Sequence, residues 1–115
     1  MNAVMITSKQ RQTLARLLAE FAEHIVRVDV FGSRATGRAR PNSDIDLVIH
    51  GDLDAKSERR LWTDFEESDL AVSVDIIVYA RIKNDSLRDH IDAVAEPLFT
   101  QAELRQERNR ARGHR

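Results

Sequence analysis

The chain has 115 residues, which sizes it for one domain, and 42% of them are hydrophobic, enough to form a core. Its 18 Lys and Arg against 19 Asp and Glu leave a net charge of -1, so nothing in the overall charge argues for direct nucleic-acid binding or a membrane surface as partner. The absence of cysteine excludes disulfides and thiolate metal sites; no apolar run reaches a membrane span, and Met1 to Ile6 has neither a basic n-region nor a long apolar stretch, so the expectation is a soluble cytoplasmic protein.

Thr7 and Gln10 have the spacing of a capping box. Leu14, Leu17, Leu18, Phe21, Ala22 and Ile25 then recur at helical spacing, which predicts a helix from about Ser8 to His24. Val26, Val28 and Val30 alternate with Arg27, Asp29 and Phe31 and read as a strand that Gly32 ends. Ser33 to Thr36 is a short helix stopped by Gly37, and Arg38 to Asn42 is a loop in which Pro41 keeps Arg40 extended. Ser43 to His50 reads as a second strand, Ala55 to Ser68 as an amphipathic helix anchored by Leu61, Trp62 and Phe65, and Val72 to Tyr79 as a third strand. Ser86 to Ala95 is a further helix, and Pro97-Leu98-Phe99 is a short extended closer. Residues 1–100 are expected as the domain and 101–115 as an Arg-rich tail, a frayed helix with a loose end. The alternation of helices and strands points to an α/β (α+β) chain, a small mixed sheet with helices packed on it.

Two features carry chemistry. Asp44 and Asp46 are two apart on a predicted strand, so both point to one face while Ile45 and Leu47 point into the core. Carboxylates about 7 Å apart along a strand can grip hard cations, and Mg²⁺ suits this because it takes a few carboxylates and fills its shell with phosphate and water. Asp75, mid-strand in Val74-Asp75-Ile76, is the natural third acid, as a metal ligand or a base; the plainer alternative is a solvent-facing residue at a sheet edge. Like charges about 4 Å apart repel by about 4 kcal/mol at an effective dielectric of 20, so three clustered acids make sense mainly with cations between them. Upstream, Gly32 permits a tight turn and a close approach to the main chain, and Ser33 offers a hydroxyl and an N–H at a helix start, together a phosphate cradle.

The chain carries its own control. Asp52-Leu53-Asp54 has the same spacing but follows Gly51 in a predicted turn, where the acids read as a solvated loop or a helix N-cap. Strand context, with Ile45, Leu47, Val48 and Ile49 around the acids, separates the first pair from the second. Arg38 and Arg40 read as a solvated loop, and Arg105, Arg108, Arg110, Arg112 and Arg115 as a solvated tail, the alternatives being steering of a nucleotide and docking of an acidic partner or RNA. His24, His50, His90 and His114 show no metal-ligand spacing. Trp62 and Phe65 read as core, and Tyr79 as core or as a stacking platform for a base.

Phe31-Gly32-Ser33-Arg34-Ala35-Thr36-Gly37, followed by Ser43-Asp44-Ile45-Asp46-Leu47, resembles the signature of the minimal nucleotidyltransferase (MNT) family within the polymerase-β-like superfamily: Gly-Ser, ten residues, Asp-x-Asp. The likeness extends over roughly residues 10 to 100. It implies the polymerase-β-like nucleotidyltransferase fold, with Gly32 and Ser33 holding the β- and γ-phosphates of a nucleoside triphosphate. It also implies Asp44 and Asp46 as Mg²⁺ ligands, with Asp75 as the third carboxylate or the base on an acceptor hydroxyl. Arg34 is implied as a phosphate contact or, equally, as a brace of the loop. Small members of the family are commonly antitoxins paired with a HEPN-domain ribonuclease toxin, to whose tyrosine hydroxyl they transfer AMP from ATP. A chain this short is expected to lack an acceptor-binding domain, which favours a protein substrate. The alternatives are a non-catalytic antitoxin that blocks its toxin by occupancy, or transfer to a small molecule or an RNA end.

Overall fold

Thr7 begins the first helix as the spacing predicts. Its hydroxyl accepts from the Gln10 amide at 3.1 Å, and the Gln10 side chain accepts from the Thr7 amide at 3.0 Å, so two otherwise unpaired donors are satisfied reciprocally. The structure, a computed structural model, describes residues 4–113; Met1 to Ala3, His114 and Arg115 lie outside the described residues. Helix α1 spans Ser8–Leu18 and tightens into a 3-10 stretch, Ala19–His24, where Phe21 leaves helical geometry. The single long helix expected to His24 is thus a helix with a tightened last part, which delivers the chain into β1 (Ile25–Phe31).

The remaining elements follow the expected order with small shifts at their ends. They are α2 (Ser33–Thr36), β2 (Ile45–Gly51), α3 (Ala55–Glu66), β3 (Val74–Val78), α4 (Asp85–Val94), β4 (Glu96–Thr100) and α5 (Gln101–Gly113). The sheet is mixed, in the order β3-β2-β1-β4. Its central pair β1/β2 and the pair β1/β4 are antiparallel, and β2/β3 is parallel.

Alternation along the strands divides the apolar side chains between two faces. Val28, Val30, Ile45, Leu47, Ile49, Val74, Ile76 and Val78 join Leu14, Leu18, Leu61, Phe65 and Leu104 in the larger core. Each fully buried aliphatic side chain there contributes about 1.5–3 kcal/mol. The opposite face carries a smaller cluster of Phe31, Val48, Ile82 and Ile91, with Ile77 and Leu87 packed against it, and so lies under α4. The same alternation puts Asp46 and Asp75 on the α4 face, because their strand neighbours Ile45, Leu47, Val74 and Ile76 all enter the larger core.

The tail is helical as expected, and it is docked as far as Gly113, its expected loose end lying outside the described residues. Residues 101–113 form a helix whose Leu104 is wholly buried in the larger core. Arg105 and Arg108 both bind Glu23, with donor distances of 2.8 to 3.1 Å, and Arg110 binds Glu107 at 2.7 Å. One apolar anchor and a shared carboxylate dock this helix.

Candidate active site

The site is built where β1 ends and β2 begins. Gly32 follows the last residue of β1 and adopts φ 72°, ψ -155°, a region open essentially to glycine alone. That turn launches α2, with Ser33 as its first residue and Gly37 closing it in the left-handed conformation. A β-carbon placed on Gly32 would lie 2.3 Å from Asp46 Oδ2. The glycine therefore serves two ends: it sets the turn, and it leaves room for a carboxylate against the main chain.

Asp46 pairs in register with Phe31 on one side and with Asp75 on the other. Two acids thus stand side by side on neighbouring strands and on one face. Asp44 is the residue immediately before β2, since the strand starts at Ile45 rather than Ser43. It is exposed, whereas Asp46 and Asp75 are half-buried. The three carboxyls act on one another. Burial, then the charges of Asp75 and Asp44, then a hydrogen bond with Asp75, push Asp46 from 3.8 up to about 6.

These residues fit a magnesium ion by their chemistry: hard carboxylate oxygens, clustered and mutually repelling. Among the described residues, no three His, Cys, Asp or Glu side chains are grouped so that together they could hold a metal ion. Mg²⁺ does not need such a group, because it takes one or two carboxylates and draws further ligands from substrate phosphates and water. Asp44 and Asp46 would hold it, with Asp75 beside them.

Arg34 makes the contacts of a loop brace. It is 4% exposed, and its guanidinium donates to the carbonyls of Ser43 at 2.7 and 3.1 Å, Met5 at 2.8 Å and Pro41 at 3.3 Å. It braces the loop 38–44 that presents Asp44, and it ties the segment before α1 to that loop.

The other singled-out residues separate cleanly. Asp54 caps α3, accepting from the Ser57 amide at 2.8 Å, and Asp52 binds His24 at 3.1 Å, so the second Asp-x-Asp is a cap and a surface contact. Phe65 is buried and Trp62 packs on the larger core. Tyr79 lies against His50 with ring centroids 4.5 Å apart and donates to Asp92 at 2.9 Å. Sequence reasoning missed the Gly32–Asp46 contact and the link from Arg34 to Met5, both of which depend on distances across the fold.

A glycine-lined turn at a short helix, set beside paired acids on adjacent strands, defines the class of protein. The pattern of the nucleotidyltransferase domain family matches residues 10–96, and the chain belongs to that family. Among curated proteins it is similar to the probable protein adenylyltransferase MntA of Haemophilus influenzae, at 42% identity over 57 residues. That match covers 48% of this chain and 50% of the relative, so the chain spans about half the length of the curated protein it matches. Among solved structures it resembles a crystal structure of a toxin-antitoxin with AMP-PNP, at a TM-score of 0.65 and 18% identity over 89% of this chain and 86% of that one. It likewise resembles a mutant of the toxin-antitoxin MntA-HpeT, at a TM-score of 0.62 and 16% identity over the same shares, 89% and 86%. These likenesses establish the nucleotidyltransferase fold. Among the described residues, no helix is long and apolar enough to cross a membrane.

Proposed function

We propose that this protein is a Mg²⁺-dependent adenylyltransferase that moves AMP from ATP to a tyrosine hydroxyl of a partner HEPN ribonuclease toxin, and so acts as its antitoxin in the cytoplasm. The observation that carries the reading is the pairing of Asp46 with Asp75 across β2/β3, with Gly32 leaving space behind Asp46. The similarity to a probable protein adenylyltransferase supports protein as the acceptor, and the likeness to toxin-antitoxin structures, one with AMP-PNP, supports a toxin partner and an ATP-like donor.

In this reading the Gly32–Ser33 turn binds the β- and γ-phosphates through its main-chain N–H groups and the Ser33 hydroxyl. Asp44 and Asp46 hold Mg²⁺, which when bound neutralises phosphate charge. The acceptor oxygen attacks the α-phosphorus, a new O–P bond forms, the bond from the α-phosphorus to the bridging oxygen breaks, and pyrophosphate leaves. Asp75 takes the proton released by the hydroxyl. The half-buried site lowers the local dielectric, which strengthens these interactions.

The test is to incubate the chain with ATP, Mg²⁺ and its HEPN partner and to weigh the partner intact. Gain of one or more AMP units, lost in the Asp44→Asn, Asp46→Asn double variant, is the expected result. An unchanged mass while the protein still protects cells from the toxin would overturn catalysis in favour of occupancy.

A further inference from the structure

The sheet has two edges, and they are made differently. β4 carries Glu96 and Pro97, a charge and a residue without an N–H, both devices that blunt an edge. β3 reads Val74-Asp75-Ile76-Ile77-Val78, with no proline and no lysine; its one charge, Asp75, lies on the α4 face beside Asp46. An edge strand with four β-branched residues and no proline is a template for pairing.

The register fixes which of its backbone groups face outward. The Ser73 carbonyl accepts from the Ile45 amide of β2 at 2.9 Å. In a parallel pair alternate residues turn both their N–H and C=O to the same neighbour. Ser73, Asp75 and Ile77 therefore face β2, and Val74, Ile76 and Val78 face away, where no strand lies among the described residues. Two grooves follow this edge. One, of about 430 Å³, runs between Trp62, Phe65 and Val72 to Asp75. The other, of about 450 Å³, is lined by Ile76, Val78 and Leu87 together with Glu58, Arg81 and Lys83.

We propose that the β3 edge receives the acceptor segment of the protein substrate as an added strand, which places its hydroxyl beside Asp75. The proposal rests on the transfer reading given above. Across the sheet the order is the Gly32–Ser33 turn at the end of β1, then Asp46 on β2, then Asp75 on β3. A strand added to β3 would stand on the far side of the acids from the phosphate turn, the arrangement an in-line displacement needs. Adjacent strands lie about 4.8 Å apart, so a tyrosine on the α4 face of the added strand reaches Asp75. An extended peptide is the occupant because its alternating donors and acceptors match those of Val74, Ile76 and Val78.

The test uses a synthetic peptide, Thr-Val-Thr-Tyr-Thr-Val-Thr, and two versions N-methylated on one or the other set of alternate residues. Amide NMR of the full chain is recorded with each peptide. The expected result is that Val74, Ile76 and Val78 shift and gain protection from hydrogen exchange while Asp75 and Ile77 keep theirs. One methylated version binds like the parent, and the other binds at least about tenfold more weakly, having lost its edge-facing donors. Equal binding of both versions, shifts elsewhere, or no shift at millimolar peptide overturns the proposal. So does a dimer in which Val74, Ile76 and Val78 are already protected, which would give the edge to a second copy. Transfer of AMP from ATP to the peptide is measured separately. Edge binding without transfer counts against the transfer reading alone, and transfer indifferent to either methylation pattern counts against strand docking alone.

Discussion

The carboxylate of Asp46 occupies the space that a side chain on Gly32 would need: a β-carbon there falls 2.3 Å from Asp46 Oδ2. Turn and acid are thereby coupled, although fourteen positions separate them in the sequence.

That coupling makes Gly32→Ala doubly costly. The backbone at φ 72°, ψ -155° charges any other residue about 1–3 kcal/mol, and the methyl group displaces the Asp46 carboxylate. Thermal or urea unfolding is expected to register the first effect. A fall of about 100-fold in AMP transfer, the usual consequence of an ångström-scale misplacement, registers the second.

Asp46 links stability to pH. Its pKa in the fold, about 6, lies above its ordinary 3.8, chiefly through burial and then through Asp75 and Asp44. A raised pKa gives stability that is complete below the unfolded value and is lost as pH rises through the folded one. Metal-free protein is therefore expected to weaken between about pH 4 and pH 6. After discounting for partial exposure the loss is about 1 kcal/mol. The Asp46→Asn variant lacks this loss, and Mg²⁺ added above pH 6 restores stability to the wild type and not to the variant. Unfolding curves at several pH values, with and without Mg²⁺ or a chelator, check both statements.

Arg34→Met removes a buried guanidinium that holds the carbonyls of Ser43, Met5 and Pro41. Leaving these part-buried carbonyls without their donor costs about 1–3 kcal/mol. The variant is expected to unfold earlier and to expose the loop 38–44 to protease. If stability is unchanged and only the affinity for ATP drops, Arg34 contacts phosphate instead.

Glu23 is held near 2, below its ordinary 4.5, by its hydrogen bonds to Arg105 and Arg108. A depressed pKa gives stability that is present above the unfolded value and lost as pH falls through the folded one. The acid limb of the stability curve, from about pH 4.5 down to pH 2, is expected to be shallower in Glu23→Gln than in the wild type. High salt shrinks the difference, because the pairs lie at the surface.

Much of this fold is written locally. Thr7 and Gln10 announce the first helix, and the alternation from Val26 to Phe31 announces β1 while setting Asp29 and Phe31 on the face opposite Val28 and Val30. The strand context of Asp46 separates the acid pair from Asp52 and Asp54, which the fold uses as a surface contact and a cap. What composition could not show is how the tail docks: Glu23, 82 positions away from Arg105, is brought beside it. Arg34 had two readings in the sequence because hydrogen bonds to distant carbonyls leave no pattern there. The alternation of β3 was legible as well, but its position at an edge was not, since strand order arises from how whole elements pack.

The central claim is that the acids from β2 and β3 transfer a nucleotidyl group. The most direct measurement uses ATP labelled at the α- or at the γ-phosphate, with Mg²⁺ and the proposed HEPN partner. The account predicts that the α-label becomes bound to the partner with one pyrophosphate released per group transferred, and that Asp46→Asn abolishes both. Transfer of the γ-label, or full activity in Asp46→Asn, would contradict it.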